Sequence, residues 1–141
     1  MSVGRSASAR RLVVGIAVVG IVSSLAELVT YAIVSSVFPG MQFPLWRVIG
    51  ELLAATVVAL VLVTRVSGSR VLGIVYFLVV GLFRVLYGFL LFRLVSNTGP
   101  GPVGAAPALV IGVWVLAGLA ALTLTVVLLT DPRARVYLDE A

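Results

Sequence analysis

Residues 70–95 read RVLGIVYFLVVGLFRVLYGFLLFRLV. The run is apolar and longer than the ~20 residues that cross a bilayer, yet it carries a permanent cation, Arg84, near its midpoint. A guanidinium at the bilayer centre costs ~3 kcal/mol on insertion scales, so Arg84 must face protein or water and have a partner. Partners are scarce. The chain holds 5 acidic residues; Asp131, Asp139 and Glu140 sit in a polar tail, which leaves Glu27 and Glu51 inside apolar runs. The expectation is an intramembrane charge cluster of Glu27, Glu51 and Arg84.

The 141 residues are 62% hydrophobic and 11% charged, with a mean hydropathy of +1.25. A soluble domain is roughly 45–50% apolar and 25% charged, so the composition is that of an integral membrane protein. Spanning segments consume most of the length, and function falls to the membrane or to short loops. The net charge of +5 comes from arginines that flank apolar runs, where they act as topology signals rather than as a nucleic-acid footprint. There is no cysteine and no histidine, which removes disulfides, thiolate and imidazole metal sites, and most acid–base and nucleophilic mechanisms. No cofactor, no metal and no nucleic-acid partner is expected. All 10 basic residues are arginine, a bias that, with abundant Val, Ala and Gly, points to a GC-rich prokaryotic genome.

Four spans are expected, at about residues 12–38, 45–66, 71–95 and 105–130. Met1 to Arg11 is Ser/Ala/Gly-rich with Arg5, Arg10 and Arg11, and is read as a disordered cytoplasmic segment. The competing reading is a signal peptide, with Arg10 and Arg11 as the basic region, Leu12 to Val22 as the apolar core and Ser24-Leu25-Ala26 as the cleavage site. Against it, the apolar pattern continues to Phe38. Pro39 to Pro44 breaks the chain into a tight outer turn. Trp46 and Arg47 then stand at the interface where the second span enters. Arg65 to Arg70 is a short basic connector with Gly68 where a helix would end. Ser96 to Gly104 is the most breaker-rich outer loop and the expected protease-sensitive site. Pro107 fits the first turn of the fourth span, which ends at Asp131-Pro132 before a short charged tail. Arg5, Arg10, Arg11, Arg65, Arg70, Arg133 and Arg135 fall on one side and Arg47 and Arg93 on the other, which places both termini in the cytoplasm of a multi-pass cell-membrane protein.

At ~100° per residue, Gly20, Ser23, Ser24, Glu27, Thr30 and Tyr31 share one face of the first span. Gly73, Phe77, Gly81, Arg84, Tyr87 and Gly88 share one face of the third. Small residues allow close helix approach in lipid, so both faces should meet protein. Ser24, Thr30, Tyr31 and Tyr87 are the candidate polar supports of the cluster. At ~1.5 Å per residue, Glu27 and Arg84 lie roughly 15 to 20 Å below the outer helix ends and Glu51 roughly 10 Å. Two carboxylates against one guanidinium leave an acid without a counter-charge, unless Arg47, one turn before Glu51, supplies it. On the fourth span Gly104, Ala108 and Gly112 form a small-residue series, read as packing within the chain in preference to oligomerisation. Val18-Val19-Gly20-Ile21 echoes Val79-Val80-Gly81-Leu82, which as a duplication would relate two hairpins of equal orientation.

A glutamate midway along the first helix of a small four-helix protein resembles, in outline, the small multidrug-resistance transporters. Glu27 is the one corresponding residue, and Arg84 at mid-membrane departs from that pattern, so no function is carried over. Two readings follow from the residues. The first is an all-α membrane protein without catalytic chemistry, an accessory or assembly subunit of a larger membrane complex or a homo-oligomer in the lipid bilayer. The second is a small transporter or channel that uses Glu27, Glu51 and Arg84 to couple ions or protons. A lipid-acting enzyme ranks third, because nothing pairs a nucleophile with a base.

Overall fold

The computed structural model describes residues 3–37, 45–97 and 105–139. All secondary structure among them is helical: α1 (Val3–Val37), α2 (Leu45–Val63), α3 (Ser69–Asn97), α4 (Ala105–Thr130) and α5 (Pro132–Asp139). Stretches Ser6–Thr30, Ser69–Arg93 and Ala108–Thr130 are each long and apolar enough to cross a membrane, and α2 contributes a shorter apolar stretch, Ile49–Val63. The expected turn at Pro39 to Pro44 lies outside the described residues, as does the outer loop beyond Asn97 up to Gly104. Ser96 and Asn97, expected in that loop, are the last residues of α3.

α3 packs most extensively on α4 and α1 on α2, α1 also meets α4, and α2 touches α3 along a shorter seam. The α3–α4 crossing is set by glycines. A Cβ on Gly118 would stand 2.7 Å from Val85 Cγ2 and 3.0 Å from the Gly81 carbonyl, and one on Gly88 2.8 Å from Val115 Cγ2, so only hydrogen at these positions permits this approach. Val22, Leu53, Val57, Leu60, Val79, Leu86, Phe89 and Leu116 point outward. Hydroxyls among the apolar helices satisfy themselves: Thr30, Thr56, Thr123, Thr125 and Thr130 each donate to the carbonyl four residues back. That removes the cost of a lone hydroxyl in an apolar setting.

Three local expectations are corrected. The N-terminal segment is helical rather than disordered, because Ala9 and Val13 are buried in one cluster with Ala134, Tyr137 and Leu138 of α5. The charged tail is accordingly a helix with an apolar inner face. It starts at Pro132, whose missing N–H costs nothing at a first helical position, and is capped by Asp131, which accepts from the Arg133 amide at 2.8 Å. α2 ends at Val63, short of the expected Val66, in a left-handed turn. Arg65 N–H donates to Leu62 O at 3.2 Å and Val66 N–H to Val61 O at 3.3 Å, the paired bonds of a Schellman motif. The left-handed residue there is Arg65 (φ 57), not Gly68, whose own φ of 80 serves the entry to α3.

Arginines tie this end of the molecule together. Arg65 donates from Nε to the Tyr137 carbonyl at 2.9 Å with its guanidinium 4.2 Å from the Tyr137 ring centroid. Arg70 donates to the Leu128 carbonyl at 2.9 Å and pairs with Asp139 at 2.9 Å. Both arginines satisfy carbonyls at helix C-termini, where cations are favoured.

Candidate functional site

The centre of the molecule holds the buried side chain of Arg84, 3% exposed. It approaches Glu27 of α1 at 3.1 Å (Nε to Oε2) and Glu51 of α2 at 2.7 Å (Nη2 to Oε1). The Nε–H donates to Glu51 Oε1 at 2.9 Å. Since that hydrogen is committed to Glu51, Glu27 Oε2 is held as an ion pair without an aligned hydrogen bond among the described residues. From the far side Arg84 donates to Ser24 Oγ at 3.1 Å and Ser23 Oγ at 3.4 Å. One guanidinium thus reaches α1 and α2 from α3, using the flat array of donors that makes arginine suited to dry ion pairs. Ser23, Ser24 and Glu27 meet it together because positions three and four apart stack on one helix face.

A cavity of about 10 Å³ borders the cluster, lined by Glu27, Arg47, Glu51, Phe83, Arg84, Tyr87 and Trp114. It is at the lower limit of space for one water molecule. Arg47 does not pair with Glu51 among the described residues. Its guanidinium lies 4.5 Å from the Phe83 centroid and 5.4 Å from that of Tyr87, a cation held on two ring faces. Phe83 and Tyr87 stack at 5.7 Å, and Tyr87 meets Trp114 edge-on at 4.9 Å, so an aromatic wall closes the cavity. Two acids and two cations face the same space, and their formal charges cancel.

Of the sequence-derived candidates, Glu27, Glu51, Arg84 and Ser24 come together, and Tyr87 joins them through the cavity wall. Thr30 is turned to its own helix, bonded to Ala26 O at 2.8 Å. The side chain of Tyr31 lies outside the described ones. Ser23, Tyr76, Phe83 and Trp114 were not singled out as site residues. Tyr76, on α3, donates to the Glu51 carbonyl at 3.4 Å, and Trp114 reaches the site from α4 beside Glu27. The signal for Ser23 was its place beside Ser24 on the Glu27 face. For Phe83 it was the spacing of four from Tyr87. Trp114 had none, because α4 carries no charge to which a partner could be assigned.

The small-residue series on α4 is corrected. Ala108 and Gly112 are exposed, with nothing within 4 Å of a Cβ built on Gly112; the α3 contact uses Gly118 and Val115 instead. Gly104 lies outside the described residues. Comparison with models of protein families, with curated proteins and with solved structures finds no match to this chain.

Proposed function

We propose that this chain is a four-span integral membrane protein of the cell membrane, with both termini cytoplasmic and no catalytic chemistry. It serves as an accessory or assembly component that associates with other membrane chains or with copies of itself. The observation that carries this reading is the closure of the central cluster: Arg84 is enclosed by Glu27, Glu51, Ser23 and Ser24, and the adjoining space of about 10 Å³ admits no solute larger than water. A network of that kind fixes helix register.

Support for four spans comes from three long apolar helices and from the 19 residues of α2. At ~1.5 Å each these cover ~28 Å, close to the ~30 Å of a hydrocarbon core. The arginine distribution orients them. Ala108 and Gly112, exposed on α4, leave a small-residue face suited to a second helix.

The second reading, ion or proton coupling, draws on one observation: Glu27, Arg47, Glu51 and Arg84 all face one cavity. Two measurements separate the readings. Native mass spectrometry of the full chain purified in mild detergent should give an oligomer or a complex with another membrane chain, and liposomes holding the purified chain should show no proton or cation flux above empty liposomes. Flux that disappears in Glu27→Gln would replace the assembly reading with the transport one. A reporter fused after Ala141 should behave as cytoplasmic; a periplasmic signal there would overturn the topology.

A further inference from the structure

Away from the central cluster, a wide groove of about 580 Å³ opens between the first turns of α1 and the start of α5, lined by Gly4, Ala7, Ser8, Arg11, Leu12 and Arg133. We propose that this groove binds the phosphate of an anionic phospholipid headgroup, with Arg11 and Arg133 as its donors. The proposal rests on the membrane reading above, which places this end at the cytoplasmic interface.

Arg11 is exposed and forms no ion pair among the described residues, so its guanidinium is available to an anion. Arg133 is already oriented. It donates from Nε and Nη2 to the two Asp131 oxygens at 3.2 and 3.0 Å and from Nη1 to Ser8 Oγ at 3.1 Å. A guanidinium has five N–H groups, so one on Nη1 and one on Nη2 remain. Ser8 Oγ accepts from Arg133, which leaves its own hydrogen to donate. Asp131 offsets the charge of Arg133 through both of its oxygens, so Arg11 supplies the net positive charge of the groove and Arg133 supplies oriented N–H donors.

The remaining lining is apolar: Gly4, Ala7 and Leu12. Cations beside an apolar floor at a helix end match an amphiphile whose phosphate meets the arginines while its glycerol and upper acyl chain cover the floor. A free phosphate ion would leave that floor uncovered. α5 is needed for the site, since it brings Arg133 to α1.

The test uses the full chain purified from the membrane fraction in detergent, with native mass spectrometry of binding to phosphatidylglycerol and to phosphatidylcholine. Preferential retention of phosphatidylglycerol is expected. Arg11→Gln should lower that preference about fivefold, the equivalent of ~1 kcal/mol per arginine near an anionic surface, and the Arg11→Gln, Arg133→Gln double variant should lower it further. Arg10→Gln, which removes an equal charge outside the groove, should leave it unchanged. Because Arg133→Gln could loosen α5, Arg11→Gln alone decides. An effect of Arg10→Gln equal to that of Arg11→Gln would show diffuse charge and overturn the site. Displacement of the lipid by millimolar inorganic phosphate would overturn the lipid as its ligand. Recovery of the chain in the soluble fraction would defeat the membrane reading and this proposal with it, whereas a membrane-bound chain without lipid preference defeats the proposal alone.

Discussion

Arginine ties helices together in two regions of this molecule, under opposite conditions. At the centre Arg84 is 3% exposed and holds two carboxylates and two hydroxyls. At the end bearing α5, Arg65, Arg70 and Arg133 hold helix carbonyls, a ring face and single carboxylates, with side chains exposed from 17% at Arg70 to 51% at Arg133. The difference follows from solvent. A buried guanidinium with at most one water-sized space beside it must have its charge met mainly by protein groups. An exposed one can leave donors to water, and each of its ion pairs contributes only ~0 to 1 kcal/mol. The central arginine therefore acts as one inseparable unit, and the terminal ones act as several weak, independent ties.

Breaking the central unit should have the largest effect. Arg84→Leu strands Glu27 and Glu51 together, at a cost on the order of 3 to 5 kcal/mol, read as lost thermal stability of the purified chain in detergent. Both acids lie within 3.1 Å of Arg84, so neutralising one cannot rescue the loss fully. The triple change Arg84→Leu, Glu27→Gln, Glu51→Gln should recover most of it, because replacing a whole buried ion cluster is often near neutral. Equal stability of Arg84→Leu and the native chain would mean that the centre behaves like the exposed end.

The next effect is steric. A side chain at position 118 meets Val85 Cγ2 at 2.7 Å, the Gly81 carbonyl at 3.0 Å and Arg84 Cβ at 3.0 Å. Gly118→Val should cost about 1 to 3 kcal/mol by overpacking, measured by the same thermal unfolding. Gly112→Val, on the same helix with open space around it, should cost little in the isolated chain.

At the exposed end, Asp131 caps α5 and binds Arg133 through both oxygens. Its bonds from the Arg133 side chain hold its carboxyl below the ordinary value of 3.8. With the folded value depressed, this contribution is complete above the unfolded value and is lost as pH falls through the folded one. Protection of the α5 amides from hydrogen exchange, taken relative to the intrinsic rate at each pH, should fall only in strong acid, below about pH 4. Asp131→Asn keeps the cap, since Asn is an equal N-cap residue, but should remove the Asp131 share of that acid dependence and leave the share of the Arg70–Asp139 pair.

What was legible beforehand divides along the same line. An arginine inside an apolar run is so costly that Glu27 and Glu51 could be assigned to Arg84 by elimination, and the helical period placed Ser24 beside them. α4 carries no charge, so Trp114 and the crossing at Gly118 gave no comparable signal. At the two ends the structure departs from expectation for a common reason. The segment before Leu12 and the tail after Asp131 are polar in composition, and their helical structure depends on a few small or apolar side chains, Ala9, Ala134, Tyr137 and Leu138, whose burial appears only once the helices meet. The end of α2 is expected at Val66, with Gly68 beyond it as the usual left-handed residue, whereas Arg65 takes that conformation.

Arg65 yields the smallest net effect, because two contributions oppose each other at one residue. Its φ of 57 costs a residue with a Cβ roughly 1 kcal/mol relative to glycine. Its side chain returns a comparable amount through the Tyr137 carbonyl at 2.9 Å and the Tyr137 ring at 4.2 Å, at ~0.5 to 1 kcal/mol for each such contact. Arg65→Gly removes both the strain and the contacts and should change stability by less than ~1 kcal/mol. Arg65→Ala removes the contacts and keeps the strain, so it should be the less stable of the two by roughly 1 kcal/mol. Thermal unfolding of the two variants side by side isolates the strain, since neither can reach Tyr137. Equal stabilities would mean that the left-handed turn carries no cost at position 65, and the hold on Tyr137 would then be a net gain rather than compensation for a strained turn.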